Sequence, residues 1–294
     1  MNKVNDIVLG IDIGGTHITA ALVDLETRSI VEGSVQRRAV NSNLPADTIL
    51  SFWCEAINAV YQNTREASRQ IGIAMPGPFD YEAGISLIQD QDKFKALYRL
   101  NLKNELASRL NIEAGNIRFI NDAAGFLQGE VFSGAARQGK QVIGLTLGTG
   151  LGSAFCENGL AVDAALWESA FKQGIAEDYL STRWFVDRYF QLTGQEIAGV
   201  KELNAAKNEP EVRQQVFTEF GNNLAEFLLP LIKERSADIV VLGGNISHAH
   251  QAFLPQLNRK LQENNVEVKI KIAELKENAS LIGAASCWEL HRHA

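Results

Sequence analysis

The sequence contains few cysteines and no long apolar run. Its three cysteines, Cys54, Cys156 and Cys287, are far apart, and their spacing matches neither a disulfide framework nor a metal site. Such cysteine usage is typical of a reducing compartment. No apolar stretch approaches the about 20 residues of a membrane span, and the segment before Ile7 lacks a signal-peptide core. The sequence therefore predicts a cytoplasmic protein without a membrane partner.

Basic segments and low-complexity segments are also scarce. The 28 Lys and Arg residues oppose 35 Asp and Glu residues, which gives a net charge of −7. The longest basic run is only Arg37-Arg38. Nucleic-acid binding needs a basic surface, so we expect no nucleic-acid partner.

The length and the hydrophobic pattern predict two α/β domains. The 294 residues exceed one ordinary core, so domains of about 120–170 residues are expected. Strand-like runs alternate with one-sided apolar stripes of helical period, which is typical of α/β layers. The runs lie at 7–13, 19–23, 71–75, 117–120, 142–147, 153–156, 239–242 and 266–272. The stripes lie at 45–69, 102–110, 123–133, 178–192, 212–233 and 281–290.

A fresh strand and a polar turn begin near residue 118, and we place the domain boundary there. The predicted domains are 1–118 and 119–294, and a C-terminal helix at about 279–294 is free to pack back onto the first domain.

Two stretches share one pattern of an apolar run, a Gly and Thr cluster, and a second apolar run. They are 10-GIDIGGTHITAALVD-24 and 143-IGLTLGTGLGSAF-155. In each, a second strand follows the turn after a few residues, which predicts a β-hairpin. The dinucleotide fingerprint needs a helix at that place, so it does not apply.

The first turn has the chemistry of a phosphate site. Gly14 and Gly15 allow close approach of a ligand to the backbone, and Thr16 adds a hydroxyl donor. Asp12 would repel phosphates unless a divalent cation lay between them, and Mg²⁺ shared between a carboxylate and phosphates meets that need. These features also occur in ordinary tight turns.

Two further turns extend the same pattern. Gly148, Thr149 and Gly150 would supply a second set of donors in the second hairpin. Gly243 and Gly244, in 242-LGGNIS-247, follow a strand and open a predicted helix, a position suited to nucleoside contacts.

Taken together, the motifs resemble those of the ROK group of sugar kinases. The motifs are 11-IDIGGTHITAALVD-24, 74-AMPGPFD-80, 121-NDAAGFLQGE-130, 145-LTLGTGLGSAF-155 and 241-VLGGNIS-247. The resemblance covers nearly the whole chain. It implies an α/β fold of two ribonuclease-H-like domains, of the actin/hexokinase ATPase type, with a cleft between them. It also implies ATP and Mg²⁺ as cofactors and a sugar as substrate.

The resemblance assigns roles to individual residues. Asp122 matches the catalytic base, Asn121 matches a sugar-hydroxyl ligand, and Gly77 lies in a motif at the substrate. Phosphoryl transfer needs alignment, charge neutralisation and a base for the hydroxyl proton, which a carboxylate can supply. An alternative for Asp122 is the N-cap of the following helix, because Asp is favoured there.

The sugar-binding segment departs from the family pattern. Members of the group carry Glu-x-Gly-His followed by a cysteine-rich zinc loop that closes with a second Glu. Here 164-AALWESAFKQGIAEDYLSTRWF-185 aligns Glu168 and Glu177 with the two glutamates, but Phe171 stands in place of the His. The cysteines are missing, so we predict no zinc site.

Glu168 and Glu177 are equally compatible with surface helix positions. A second segment, 86–102, is expected near the substrate, with Asp90, Asp92 and Lys93 as candidate contacts.

Three functions remain open from the sequence. The first is ATP-dependent phosphorylation of a hexose or N-acetylhexosamine. The second is a sugar sensor of the same fold with weak catalysis, and the third is an ATPase or acyl kinase. Related repressors carry a winged-helix segment ahead of the first motif, where this chain has about ten residues, so DNA binding is not expected. A homodimer is compatible with the sequence, and the identity of the sugar is not legible in it.

Overall fold

A computed structural model describes residues 6–62, 67–89, 93–205 and 209–289. The strands in these ranges are β1 Ile7–Ile13, β2 His17–Asp24, β3 Ser29–Ile30, β4 Gln36–Ala39, β5 Ile71–Met75, β6 Phe79–Asp80, β7 Ile85–Ser86, β8 Ile117–Asn121, β9 Gln141–Leu147, β10 Leu151–Glu157, β11 Leu160–Asp163, β12 Ala170–Phe171, β13 Gly174–Ile175, β14 Ile239–Gly243 and β15 Lys269–Ile272.

The α-helices in these ranges are α1 Ala46–Gln62, α2 Leu102–Leu110, α3 Asp122–Phe132, α4 Ala176–Leu180, α5 Thr182–Thr193, α6 Val200–Ala205, α7 Pro210–Arg235, α8 His250–Glu263 and α9 Ala279–Ser286. None of the helices within the described ranges combines the length and the apolar character that crossing a bilayer requires.

The chain divides into two compact units, each with one large sheet. The first unit is Met1–Arg137 with Glu277–Ala294, and the second is Gln138–Lys276. The sheet of the first unit has the order β3-β2-β1-β5-β8, with β4 also paired to β2, and that of the second has the order β11-β10-β9-β14-β15.

In both sheets an antiparallel meander of the first strands is followed by two parallel strands. Both predicted hairpins are confirmed: β1 pairs with β2, and β9 pairs with β10.

The division between the units differs from the one predicted at residue 118. That residue lies inside β8, and Arg118 pairs with Gly72 of β5 in the first sheet. The contacts assign α3 to the first unit as well, because α3 packs against α9, which lies on β1 and β5. The chain therefore changes units after Arg137 and returns at Glu277.

The two faces of the first sheet are covered in different ways. One face carries large apolar side chains that form a core with α1 and α2. On the other face the register pairs Gly10 with Gly72, and both glycines lie under α9. A Cβ on Gly72 would lie 2.0 Å from the carbonyl oxygen of Ala284, and one on Gly10 would lie 2.2 Å from that of Leu281. The helix can therefore rest on the sheet backbone only because side chains are absent there.

The α3–α9 contact follows the same rule. A Cβ on Gly283 of α9 would lie 1.9 Å from the carbonyl oxygen of Gly125, and one on Gly129 of α3 would lie 2.0 Å from that of Ala279. Close packing of the two helices fixes α3, whose first residue is Asp122.

Gly72→Ala is expected to destabilise the protein by at least about 2 kcal/mol, because the new methyl group collides with backbone that cannot move aside. Gly115→Ala is the matched control: no atom lies within 4 Å of a Cβ at Gly115, and its change is expected to stay within about 0.5 kcal/mol. Urea unfolding of both variants measures the difference. Equal midpoints for the two variants would contradict the packing described here.

Candidate active site

The carboxyl ends of the parallel strands in the first sheet bring two aspartates to one edge. Asp12 of β1 pairs with Ala74 of β5, which pairs with Ile120 of β8. Asp122 follows two residues after Ile120, at the start of α3, and it is exposed. The two carboxyl groups are close enough that the charge of Asp122 acts on Asp12. An edge of this kind is the usual ligand position in open α/β sheets.

The N-cap of α3 is Asn121, not Asp122. The Oδ1 atom of Asn121 accepts hydrogen bonds from the backbone N–H groups of Ala123 and Ala124, at 2.8 and 3.1 Å. The side chain is only 7% exposed, and its Nδ2 atom donates to the hydroxyl of Tyr81 at 3.1 Å. Asp122 Oδ1 also accepts from the N–H of Ala123, at 2.9 Å. The helix therefore has its cap without Asp122.

Asp12 is held in an environment that disfavours its charge. Burial raises its pKa from 3.8 to about 6, and the carboxylate of Asp122 contributes in the same direction. Arg37 acts against this shift, but its guanidinium pairs with Glu277 at 2.8 Å. Two neighbouring carboxyl groups of this kind are oxygen donors that suit Mg²⁺.

The first glycine turn closes the β1–β2 hairpin. Gly14 donates its N–H to the carbonyl oxygen of His17 at 2.9 Å, so this group is used by the turn. Of the three residues predicted to bind phosphate in this turn, Gly15 and Thr16 are therefore the two whose backbone N–H groups remain as candidate donors. The Thr16 hydroxyl lies 2.8 Å from Nδ1 of His17. The stem of Lys93 lies against Gly15, with its Cδ atom 3.4 Å from the position of a Cβ there.

The second glycine turn is held by two residues of the 168–182 segment. Glu177 Oε2 accepts the backbone N–H of Leu151 at 3.0 Å. A Cβ on Gly150 would lie 2.7 Å from that oxygen, so the Glu177 side chain would have to shift if Gly150 were replaced. Thr182 donates its N–H and its hydroxyl to the carbonyl oxygen of Gly148, at 2.8 and 2.9 Å. Thr149, between the two glycines, is exposed.

The third turn follows β14 in the same unit. Gly243 is the last residue of the strand, and Gly244 has a φ of +79°. A Cβ on Gly244 would lie 2.4 Å from the carbonyl oxygen of Leu147, at the end of β9. A 3-10 helix, Asn245–Ala249, comes next and leads into α8.

An aromatic and ionic cluster fixes the segment that contains Glu168 and Glu177. Phe171 makes edge-to-face contacts with Tyr179 and Phe227, with ring centroids 5.5 and 5.7 Å apart. Lys172 donates to Asn223 of α7 at 2.6 Å and pairs with Glu226 at 2.9 Å. These contacts attach the β12–β13 hairpin to α7 and carry Glu177 towards the second turn. Glu168 ends a 3-10 helix, Leu166–Glu168, and is exposed.

The remaining predicted site residues are Gly77, Asp90 and Asp92. The Gly77-Pro78 peptide bond is cis, and a Cβ on Gly77 would lie 3.1 Å from the Tyr81 hydroxyl. Asp90 and Asp92 lie outside the described residues. Among the described residues, no group of three or more His, Cys, Asp and Glu side chains has the arrangement of a metal site.

Tyr81 and Thr182 are two site residues that sequence reasoning missed. The hydroxyl of Tyr81 donates to the carbonyl oxygen of Met75 at 3.1 Å and accepts from Asn121, which joins β5 to the start of α3. A signal existed in both cases, because Tyr81 directly follows the motif 74-AMPGPFD-80 and Thr182 follows the second glutamate by five residues.

Comparison with known proteins identifies the family of this chain. The profile of the ROK family matches residues 8–163 and 172–290, and the chain belongs to this family. It is 25% identical to the glucokinase of Thermotoga maritima over 95% of this chain and 96% of that protein. It is 24% identical to the N-acetylgalactosamine kinase AgaK of a Shewanella species, over 94% of each.

The fold is shared with solved structures of the family. A ROK family glucokinase from Streptomyces griseus, in complex with glucose and AMPPNP, superimposes with a TM-score of 0.73 at 22% identity, over 98% of this chain and 100% of that one. The predicted α/β fold of two actin/hexokinase-type ATPase domains is confirmed.

Asp12→Asn is expected to stabilise the protein above pH 6. Folding raises the pKa of Asp12 from 3.8 to about 6, so the folded protein holds this proton more tightly than the unfolded chain. The stability that the protonated Asp12 side chain contributes is therefore fully present below pH 4 and is lost as the pH rises through 6. The amide carries no charge at any of these pH values, so the gain should reach about 1–3 kcal/mol at pH 7.5 and vanish near pH 4. Unfolding by urea at several pH values without divalent cations measures this. The control is Glu82→Gln, an exposed carboxyl of the same unit. A gain in stability of Asp12→Asn that does not depend on pH would contradict the raised pKa of Asp12.

Glu177→Ala is expected to loosen the second glycine turn, because the buried N–H of Leu151 loses its acceptor. Hydrogen exchange at Leu151 should accelerate about tenfold, and the stability should fall by about 1–2 kcal/mol. Glu177→Gln keeps an acceptor oxygen and should change less, and Glu168→Ala is the control at an exposed glutamate. Unchanged exchange in Glu177→Ala would show that the carboxylate does not hold the turn.

Proposed function

We propose that this protein is a kinase that transfers the terminal phosphoryl group of ATP to a hydroxyl of a hexose or an N-acetylhexosamine. The observation that carries the proposal is the position of Asp122. It lies at the edge of the first sheet, beside Asp12 and the first glycine turn, while Asn121 makes the helix cap. The named activities of the ROK relatives support the same reaction class.

The proposed reaction uses these residues in separate roles. Asp122 accepts the proton of the attacking hydroxyl as the new bond to phosphorus forms and the bond to the leaving ADP breaks. The N–H groups of Gly15 and Thr16 donate to phosphate oxygens. Asp12 would hold Mg²⁺, directly or through water and phosphate oxygens, and the cation would neutralise phosphate charge.

Two glycine turns of the second unit are the candidate nucleotide contacts of that unit. We assign Gly148, Thr149 and Gly150 to the phosphates and Gly243 with Gly244 to the nucleoside. Glycine lets a ligand approach the backbone closely, and at Gly148 no protein atom lies within 4 Å of the position of a Cβ.

We assign the sugar to Gly77, Asn121, Glu168 and Glu177. Asn121 retains a second amide N–H beyond the one given to Tyr81, and Glu177 retains its Oε1 beyond the oxygen bound to Leu151. Carboxylate and amide groups are suited to sugar hydroxyls because they form charge-assisted or paired hydrogen bonds.

An ADP-release assay over a panel of hexoses and N-acetylhexosamines tests the proposal. We expect Mg²⁺-dependent turnover with at least one of these sugars. Asp122→Asn should lower kcat by about 10²–10⁴ with a smaller change in the KM for the sugar, because the general base is lost while other ligands still hold the ring. Asp47→Asn, an exposed carboxylate on α1, is the control and should keep wild-type turnover.

Two outcomes would overturn the proposal. Near-wild-type turnover of Asp122→Asn on the best sugar would remove Asp122 from the mechanism. Measurable sugar binding by the wild type without turnover on any sugar would favour the sugar sensor instead.

A further inference from the structure

A cavity of about 540 Å³ opens beside the first glycine turn, within the first unit. Gly15 and Thr16 form one side, and the loop that follows β4 forms another. The lining is completed by Lys93 and consists of Gly15, Thr16, Val40, Asn41, Ser42, Asn43 and Lys93. The lining as described contains one cation and no carboxylate, which favours an anionic ligand.

The position of Lys93 is fixed by its neighbour Phe94. The Phe94 ring is fully buried and meets Trp53 edge to face, with centroids 5.7 Å apart. The N–H of Phe94 donates to the carbonyl oxygen of Ser42 at 3.0 Å, which joins this segment to the loop after β4. The Lys93 stem then runs along Gly15. Within the described residues the Lys93 ammonium group has no hydrogen bond or ion pair.

Ser42 gives a second, independent observation. The residue is only 5% exposed and lines the cavity, with its Oγ atom 4.0 Å from the position of a Cβ on Gly15. Within the described part of the chain this hydroxyl makes no hydrogen bond. Because this hydroxyl lines the cavity, it is placed to donate a hydrogen bond to an anion there. The loop itself is ordered by other bonds, since Val40 donates to Thr16 at 2.8 Å.

We propose that this cavity receives the terminal phosphoryl group of the phosphate donor, with Lys93 and Ser42 as its ligands beyond the glycine turn. The inference rests on the proposed function and adds two residues to it. The first glycine turn begins two residues after Asp12, and the charge of Asp122 acts on Asp12. We therefore expect the phosphoryl group bound at this turn to be the one nearest Asp122, the proposed base. Lys93 forms and breaks no covalent bond: the phosphorus leaves the oxygen of the diphosphate for the sugar oxygen, whose proton goes to Asp122.

Lys93→Met tests the proposal through binding, without turnover. Calorimetry with a non-hydrolysable ATP analogue, with ADP and with tripolyphosphate, all with Mg²⁺, separates the terminal phosphoryl group from the inner ones. We expect the affinity of Lys93→Met for the ATP analogue to fall about tenfold or more, because a charge-assisted hydrogen bond is lost, and its affinity for ADP to stay within about twofold. Lys93→Arg should restore part of the loss, and Ser42→Ala should lower the affinity about threefold.

Lys95→Met is the matched control. Lys95 is an exposed lysine two positions away, and its removal changes the net charge equally. Equal affinities in Lys93→Met and Lys95→Met would overturn the proposal, and so would an equal loss for ADP and the ATP analogue in Lys93→Met. Loss of sugar affinity alone would assign the cavity to the sugar and also overturn it.

The tripolyphosphate arm identifies the donor. If Lys93→Met loses as much affinity for tripolyphosphate as for the ATP analogue, the site binds the terminal phosphoryl group of either donor. If it loses affinity for the analogue alone, the site is specific for the nucleotide. Both support the site. These binding results stand even if no sugar is turned over, so failure of the kinase proposal and failure of this one remain distinguishable.

Discussion

The close approach of α9 to the first sheet is the constraint on which the first unit depends. Gly10 and Gly72 lie opposite each other in the register, and α9 rests on both of them. Glycines in a strand and in a helix interior each cost stability, and here that cost is offset by backbone packing that no other residue permits. Because α3 packs on α9 through Gly125 and Gly129, the helix that begins at Asp122 is placed by a segment about 150 residues further along the chain.

A second constraint is the charge at the edge of this sheet. Burial and the charge of Asp122 both raise the pKa of Asp12, and the nearby Arg37 pairs with Glu277. A protein gains nothing in stability from such a pair. The arrangement makes sense as a site for positive charge brought by a ligand, which is the reason that the proposed function places Mg²⁺ there.

Local pattern was enough to predict both hairpins, since Gly and Thr between two apolar runs of strand period favour one structure. It was not enough for the extent of α8: a helix was predicted to open after Gly244, but no apolar stripe was predicted over 250–263, where Pro255 lies inside the helix. The unit boundary was misplaced because a strand-like run begins near residue 118, while the packing that assigns α3 to the first unit involves residues after 276. The bond from Leu151 to Glu177 likewise joins residues 26 positions apart, which no local pattern reveals.

The two glycine turns occupy equivalent places in two sheets of the same strand order, yet their surroundings differ in charge. At the second turn a carboxylate, that of Glu177, already accepts the N–H of Leu151. A phosphate oxygen at that N–H would meet the negative charge directly. At the first turn Lys93 lies against Gly15, and no carboxylate lines the cavity as described. Because a phosphoryl group carries its negative charge on three oxygens, the surroundings of the first turn suit such a group better than those of the second.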